Sequence, residues 1–133
     1  RYNNGKLIEE QQLMADEGGG KGSADIHVSP DGKFLYTSHR LKKDGIAIFS
    51  INPSTGLLTK VGYQETGIHP RNFAITPNGK YLLVACRDDN TIQIFKRNAR
   101  ESASTWESLC ALYCANTNVL YYLCPCLPKL NAH

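Results

Sequence analysis

Asp25 and His27 lie two residues apart in Ala24-Asp25-Ile26-His27-Val28, so on a β-strand both side chains leave the same face. A carboxylate beside an imidazole can position or deprotonate a water molecule. Gly67-Ile68-His69-Pro70-Arg71-Asn72 holds a second pair. Arg71 offers a planar fork of donors suited to an anionic substrate, and His69 can assist it as acid or base. Both pairs have plainer alternatives. An Asp or His in such a strand also ties strand to loop, and an arginine can pair with the backbone of a neighbouring unit. His39 is a weaker candidate, since a second copy of its surroundings carries Cys86 in its place and its loop is expected to be solvated.

The elements that must carry these residues repeat. Ser29-Pro30-Asp31-Gly32-Lys33 and Thr76-Pro77-Asn78-Gly79-Lys80 occupy matching places at an offset of 47, as do Leu35 with Leu82 and Arg40 with Arg87. Each turn is preceded by a run of alternating polarity and followed by a β-branched and aromatic run, which predicts a hairpin. A third strand follows in both copies, pairing Ile46 with Ile92, Ile48 with Ile94 and Phe49 with Phe95 after a one-residue deletion. In the first copy the turn Asn52 to Gly56 leads to a fourth strand of period two. Upstream, residues 1–17 read as another fourth strand entered through Asn4-Gly5, with a short helix as the alternative.

A four-stranded repeat of about 40 to 50 residues predicts an all-β fold, a partial β-propeller of about two antiparallel blades. Residues 1–17 would be the last strand of a preceding blade, 18–67 a complete blade, 68–100 an incomplete one and 101–133 a divergent tail. The first strand of each blade lines the central channel, which places Asp25, His27 and Arg71 near it. Blades cover one another's apolar faces, so two alone should be marginal, and the chain reads as a piece of something larger, prone to self-association through exposed blade faces. It begins at Arg1, without the regions of a signal peptide, and the start of the gene product is expected upstream.

Composition narrows the function classes. With 41% hydrophobic and 20% charged residues the chain is a globular protein, neither disordered nor fibrous. The net charge of +3 is spread among acids, so neither nucleic acid nor a membrane surface is an expected partner, while a local anion site stays open. No run reaches the roughly 18 to 20 apolar residues of a membrane span. Gly18 to Ser23 lacks the ending and context of a phosphate loop and reads as a flexible link. Cys86 reads as a small buried hydrophobe. The other four cysteines, Cys110, Cys114, Cys124 and Cys126, fall in a tail without glycine, at spacings unlike those of a structural zinc site. That tail is expected to be foreign to the repeat, such as an out-of-frame extension, and neither metal nor cofactor is expected.

The stretches ADIHVSPDGKFLYTSHR, IAIFSINPSTG and TGIHPRNFAITPNGKYLLVACRDDNTIQIFKR together resemble the C-terminal part of the seven-bladed β-propeller lactonase family, over roughly residues 1–100. The resemblance implies hydrolysis of a sugar lactone, foremost 6-phosphogluconolactone in the oxidative pentose phosphate route, or lactonisation of muconate-type acids in related propellers. Such chemistry needs a cation for the substrate's anionic group, a group that moves a proton and a donor for the carbonyl oxygen. By their place on the channel-lining first strands Arg71, His27 and Asp25 are the expected catalytic residues and Arg71 with His69 the substrate-binding ones; the resemblance strengthens Arg71 and implies a cytoplasmic location. The competing expectation is a truncated or frameshifted remnant, or a binding module without catalysis.

Overall fold

The computed structural model describes residues 1–16, 18 and 22–97, and the backbone of Trp106–Tyr113. Among the described residues it has ten strands and no helix. β1 (Tyr2–Asn3) and β2 (Lys6–Leu7) pair around Asn4 and Gly5, whose φ values of 46° and 81° are those of a tight hairpin turn. The Asn-Gly turn is therefore where the sequence suggests it. The strand that follows is only two residues long, because its described ladder partner is equally short. Residues 8–16 run on without strand pairing across the first sheet, where the Gln11 amide both donates to Leu58 O and accepts from Leu58 N at 2.8 Å.

The first sheet is an antiparallel meander of β3 (Gly22–Val28), β4 (Phe34–Arg40), β5 (Gly45–Ile51) and β6 (Leu58–Glu65). The second repeats it with β7 (Pro70–Ile75), β8 (Tyr81–Cys86), β9 (Thr91–Arg97) and β10 (Trp106–Tyr113). The two β-turns match bond for bond. Ser29 Oγ and Thr76 Oγ1 each accept from the residue five places on, at 3.0 Å, while Asp31 and Asn78 each accept from the following lysine's N–H. Gly32 and Gly79 both take positive φ, 70° and 68°, as the turn demands.

β10 departs from the sequence reading, which ends the second blade at three strands and assigns 101–133 to a tail. Trp106 to Tyr113 runs antiparallel to β9, from Trp106 opposite Arg97 to Tyr113 opposite Thr91, with a bulge between Ser108 and Cys110. A ladder is made by backbone groups, so an edge strand need not repeat its counterpart's side chains or its glycine turn. Residues 114–133, with Cys114, Cys124 and Cys126, lie outside the described residues.

One apolar cluster joins the sheets: Tyr36, Ile46 and Ile48 from the first, Phe73, Leu82, Val84, Cys86 and Phe95 from the second. At roughly 2 kcal/mol for each buried side chain this cluster is the main bond between the repeats. β7 lies against β3 and β4, so the first strands of the two sheets are neighbours. This is the arrangement of adjacent propeller blades, and the fold is a partial β-propeller. At the turn end, Arg97 Nη2 donates to Asp31 Oδ2 at 2.8 Å, with the Arg97 guanidinium 5.2 Å from the Phe34 ring.

Candidate functional site

The first strands of both blades carry a β-bulge at matching places, between Ser23 and Ile26 in β3 and between Pro70 and Asn72 in β7. A bulge inserts a residue that the partner strand does not match and turns its side chain out of the regular alternation. Arg71 is that residue in β7. It is exposed and forms no hydrogen bond or ion pair among the described residues.

Asp25 sits in the corresponding bulge of β3, where its own N–H approaches Ser38 Oγ at 3.0 Å. Its Oδ2 accepts from His27 Nε2 at 3.0 Å, so the two residues do share a face. The same oxygen accepts from Asn72 Nδ2 at 2.8 Å and Phe73 N at 3.2 Å, both in the next blade. Burial works against ionisation of this carboxyl, but the N–H groups of Phe73, His27 and Ile26 prevail and hold it below the usual carboxylate range. His27 remains half exposed, with its ring edge-on to Phe73 at 4.9 Å.

His69 is placed differently from the expectation that it would face a substrate beside Arg71. It is buried, with φ of 63°, and its N–H donates to Asp44 Oδ1 at 3.1 Å. Arg40 Nη1 lies 2.6 Å from Nε2, and since a guanidinium can only donate, Nε2 accepts. Nδ1 lies 3.1 Å from Asp88 Oδ2 and 3.2 Å from Arg87 Nη2, and Arg87 grips Asp88 in turn. Both ring nitrogens are engaged, so His69 braces the loop that leads to Arg71. Gln93 and Asp89 side chains accept from Gly67 N and Ile68 N, fixing the same loop from below.

His39 also departs from the reading of a solvated position. It lies in β4, 5% exposed, with Nε2 2.7 Å from Thr37 Oγ1 and Nδ1 3.9 Å from Asp16 Oδ2. Residues 11–16 cross this face and cover it. Burial pushes the imidazole pKa down, against the pull of Asp16. Strand alternation puts Leu35, Thr37 and His39 on the side of β4 opposite Tyr36, facing a cleft of about 440 Å³ also lined by Leu13 and Phe49.

The structure thus joins Asp25 with His27, leaves Arg71 open on the neighbouring strand, and sends His69 and His39 to other surroundings. Asn72 is the member that sequence reasoning passed over. The signal was present, because an offset of 47 pairs Asp25 with Asn72, one acceptor and one donor at equivalent places.

Two neighbouring four-stranded blades, their first strands side by side, define a protein of the β-propeller class. The chain belongs to the lactonase family with the seven-bladed β-propeller fold, whose pattern matches residues 1–108. It is similar to the 6-phosphogluconolactonase of Formosa agariphila, 59% identical over 78 residues, which make up 57% of this chain and 22% of that one. The 6-phosphogluconolactonase of Photorhabdus laumondii is 43% identical over 82 residues, 62% of this chain and 25% of that one. Among solved structures, a Bacteroides fragilis protein assigned as a 6-phosphogluconolactonase is 60% identical with a TM-score of 0.76, over 82% of this chain and 30% of that one. The periplasmic gluconolactonase of Pseudomonas aeruginosa is 28% identical with a TM-score of 0.73, over 84% and 31%. The chain therefore spans about a quarter of the length of the curated relatives it matches.

Proposed function

We propose that this chain carries the anion-binding and proton-moving part of a sugar-lactone hydrolase that converts 6-phosphogluconolactone to 6-phosphogluconate. The observation that carries the reading is Arg71, an exposed guanidinium without a partner among the described residues, set on a bulge beside the strand of Asp25 and His27. Arg71 would hold the phosphate by a charge-assisted fork. His27, oriented by Asp25, would take a proton from water as its oxygen bonds to the lactone carbonyl carbon. The ring C–O bond then breaks, and the departing oxygen receives a proton to become the hydroxyl of the acid. In this reading His69 contributes by bracing the Arg71 loop. The reaction belongs to the oxidative pentose phosphate route and the cytoplasm, although a periplasmic gluconolactonase shares the fold, so cell fractionation is the test of location.

The alternative reading is a binding module without catalysis. Hydrolysis of 6-phosphogluconolactone decides between them, measured for this chain and for a full-length relative with and without its counterpart of Arg71. Turnover by the relative that survives Arg71→Ala unchanged would end the first reading's account of the site.

A further inference from the structure

The Asp25 carboxylate receives four hydrogen bonds. Oδ2 accepts from His27 Nε2, Asn72 Nδ2 and Phe73 N, and Oδ1 accepts from Ile26 N at 2.9 Å. Each carboxylate oxygen offers about two lone-pair sites, so Oδ2, with three donors, has none left, while Oδ1 holds one donor. A catalytic base must keep an open lone pair within reach of the proton it removes. The Asp25 oxygen that faces His27 does not meet that condition, and His27 does.

Because ionised Asp25 can only accept, the His27 nitrogen facing it must bear the hydrogen. In neutral imidazole the lone pair then resides on Nδ1, which has no partner among the described residues and belongs to a half-exposed ring. The edge-on contact with Phe73 at 4.9 Å restrains the ring from the other side. Asn72 completes the device. Its amide comes from the next blade and, with Phe73 N, holds Asp25 Oδ2 at the height of His27.

We propose that Asp25 and Asn72, one from each blade, are positioning residues that lock His27 in its Nε2–H form, making Nδ1 the nitrogen that accepts the proton. This rests on the reading of His27 as the proton-moving group. It makes Asp25 act through His27 by way of Oδ2 and assigns Asn72 a role that its exposure alone would not suggest. Outer partners that orient a metal-bound imidazole are worth roughly 10- to 100-fold, and the lower end of that range is the expectation for a metal-free base held in the same way.

The test is the ring nitrogen spectrum of His27 in the ¹⁵N-labelled chain, recorded above the imidazole titration. The expected result is one form, Nε2 protonated and Nδ1 bare, changing to a mixture of both tautomers in Asn72→Ala and Asp25→Ala. A wild-type spectrum that is already mixed, or protonated on Nδ1, overturns the proposal without need of any variant. So does an unmixed Nε2–H form in Asn72→Ala, which removes one bond of four and leaves the Asp25 carboxylate in place if Asp25→Ala fails to fold. In a full-length relative, the Asn72→Ala counterpart should lower kcat roughly tenfold with KM unchanged. Activity lost on Arg71→Ala but kept on both Asn72→Ala and His27→Gln overturns Nδ1 as the base and leaves the anion site standing. The converse pattern overturns the anion site alone and supports the positioning pair.

Discussion

Asn72 Nδ2 donates to Asp25 Oδ2 at 2.8 Å, and these two residues hold the same place in successive copies of the repeat. One position of the blade thus serves as acceptor in the first copy and donor in the second, and the pair bridges the boundary between blades. Replacing Asp25 by Ala would strand the Asn72 amide and the half-buried Phe73 N–H together. We expect a loss of about 1 to 3 kcal/mol, read by urea unfolding of the chain, and a smaller loss for Asn72→Ala. Equal stability of wild type and Asp25→Ala would show that the bridge holds nothing.

Arg71 should behave in the opposite way. With no described partner to lose, Arg71→Ala is expected to leave thermal unfolding within about 0.5 kcal/mol of wild type. In a full-length relative the same change should lower kcat/KM at least about tenfold, which is roughly 1.4 kcal/mol of transition-state stabilisation. Destabilisation with unchanged turnover would make Arg71 a structural residue.

Acid should loosen the turn end of the blade boundary. Burial opposes ionisation of Asp31, yet Ser29, Lys33 N–H and Arg97 together bring its pKa down from 3.8 to about 2. A carboxyl with a depressed native pKa stabilises the fold above its unfolded value, and that contribution fades as pH falls from about 4 toward 2. Because the side chain is 35% exposed, solvent screening reduces the effect to about 1 kcal/mol. Unfolding midpoints measured across this window should drop less steeply in Asp31→Asn than in wild type.

The matching turns allow a paired test. An alanine at Gly32 meets nothing within 4 Å, so Gly32→Ala should cost only the strain of a positive φ, about 1 to 2 kcal/mol. At Gly79 the new Cβ would stand 3.1 Å from Arg97 Nη1, next to the Asp31 ion pair. Gly79→Ala should therefore lower the unfolding midpoint more than Gly32→Ala does.

Phe73 links packing and site. It is 2% exposed, belongs to the cluster between the sheets, and rests against the His27 ring. Phe73→Ala should cost about 3 to 5 kcal/mol and separate the blades, seen as loss of cooperative unfolding by calorimetry. Retention of a sharp transition would place the main bond between the blades elsewhere.

What the amino-acid sequence determined alone is local and periodic: the twin turns, the alternation of the strands, the four-stranded repeat and the shared face of Asp25 and His27. These depend on residues within a few positions of one another, where the preferences of Gly, Pro, Asn and β-branched side chains act directly. Tertiary structure decided the rest. Arg40 meets His69 across 29 positions, and Asn72 meets Asp25 across 47. A strand that the repeat pattern did not announce, Trp106–Tyr113, pairs with the edge of β9 through backbone bonds. Which histidine is buried, which is exposed and which carboxylate is gripped from the next blade depends on what a neighbouring blade brings to each side chain, and no local preference encodes that.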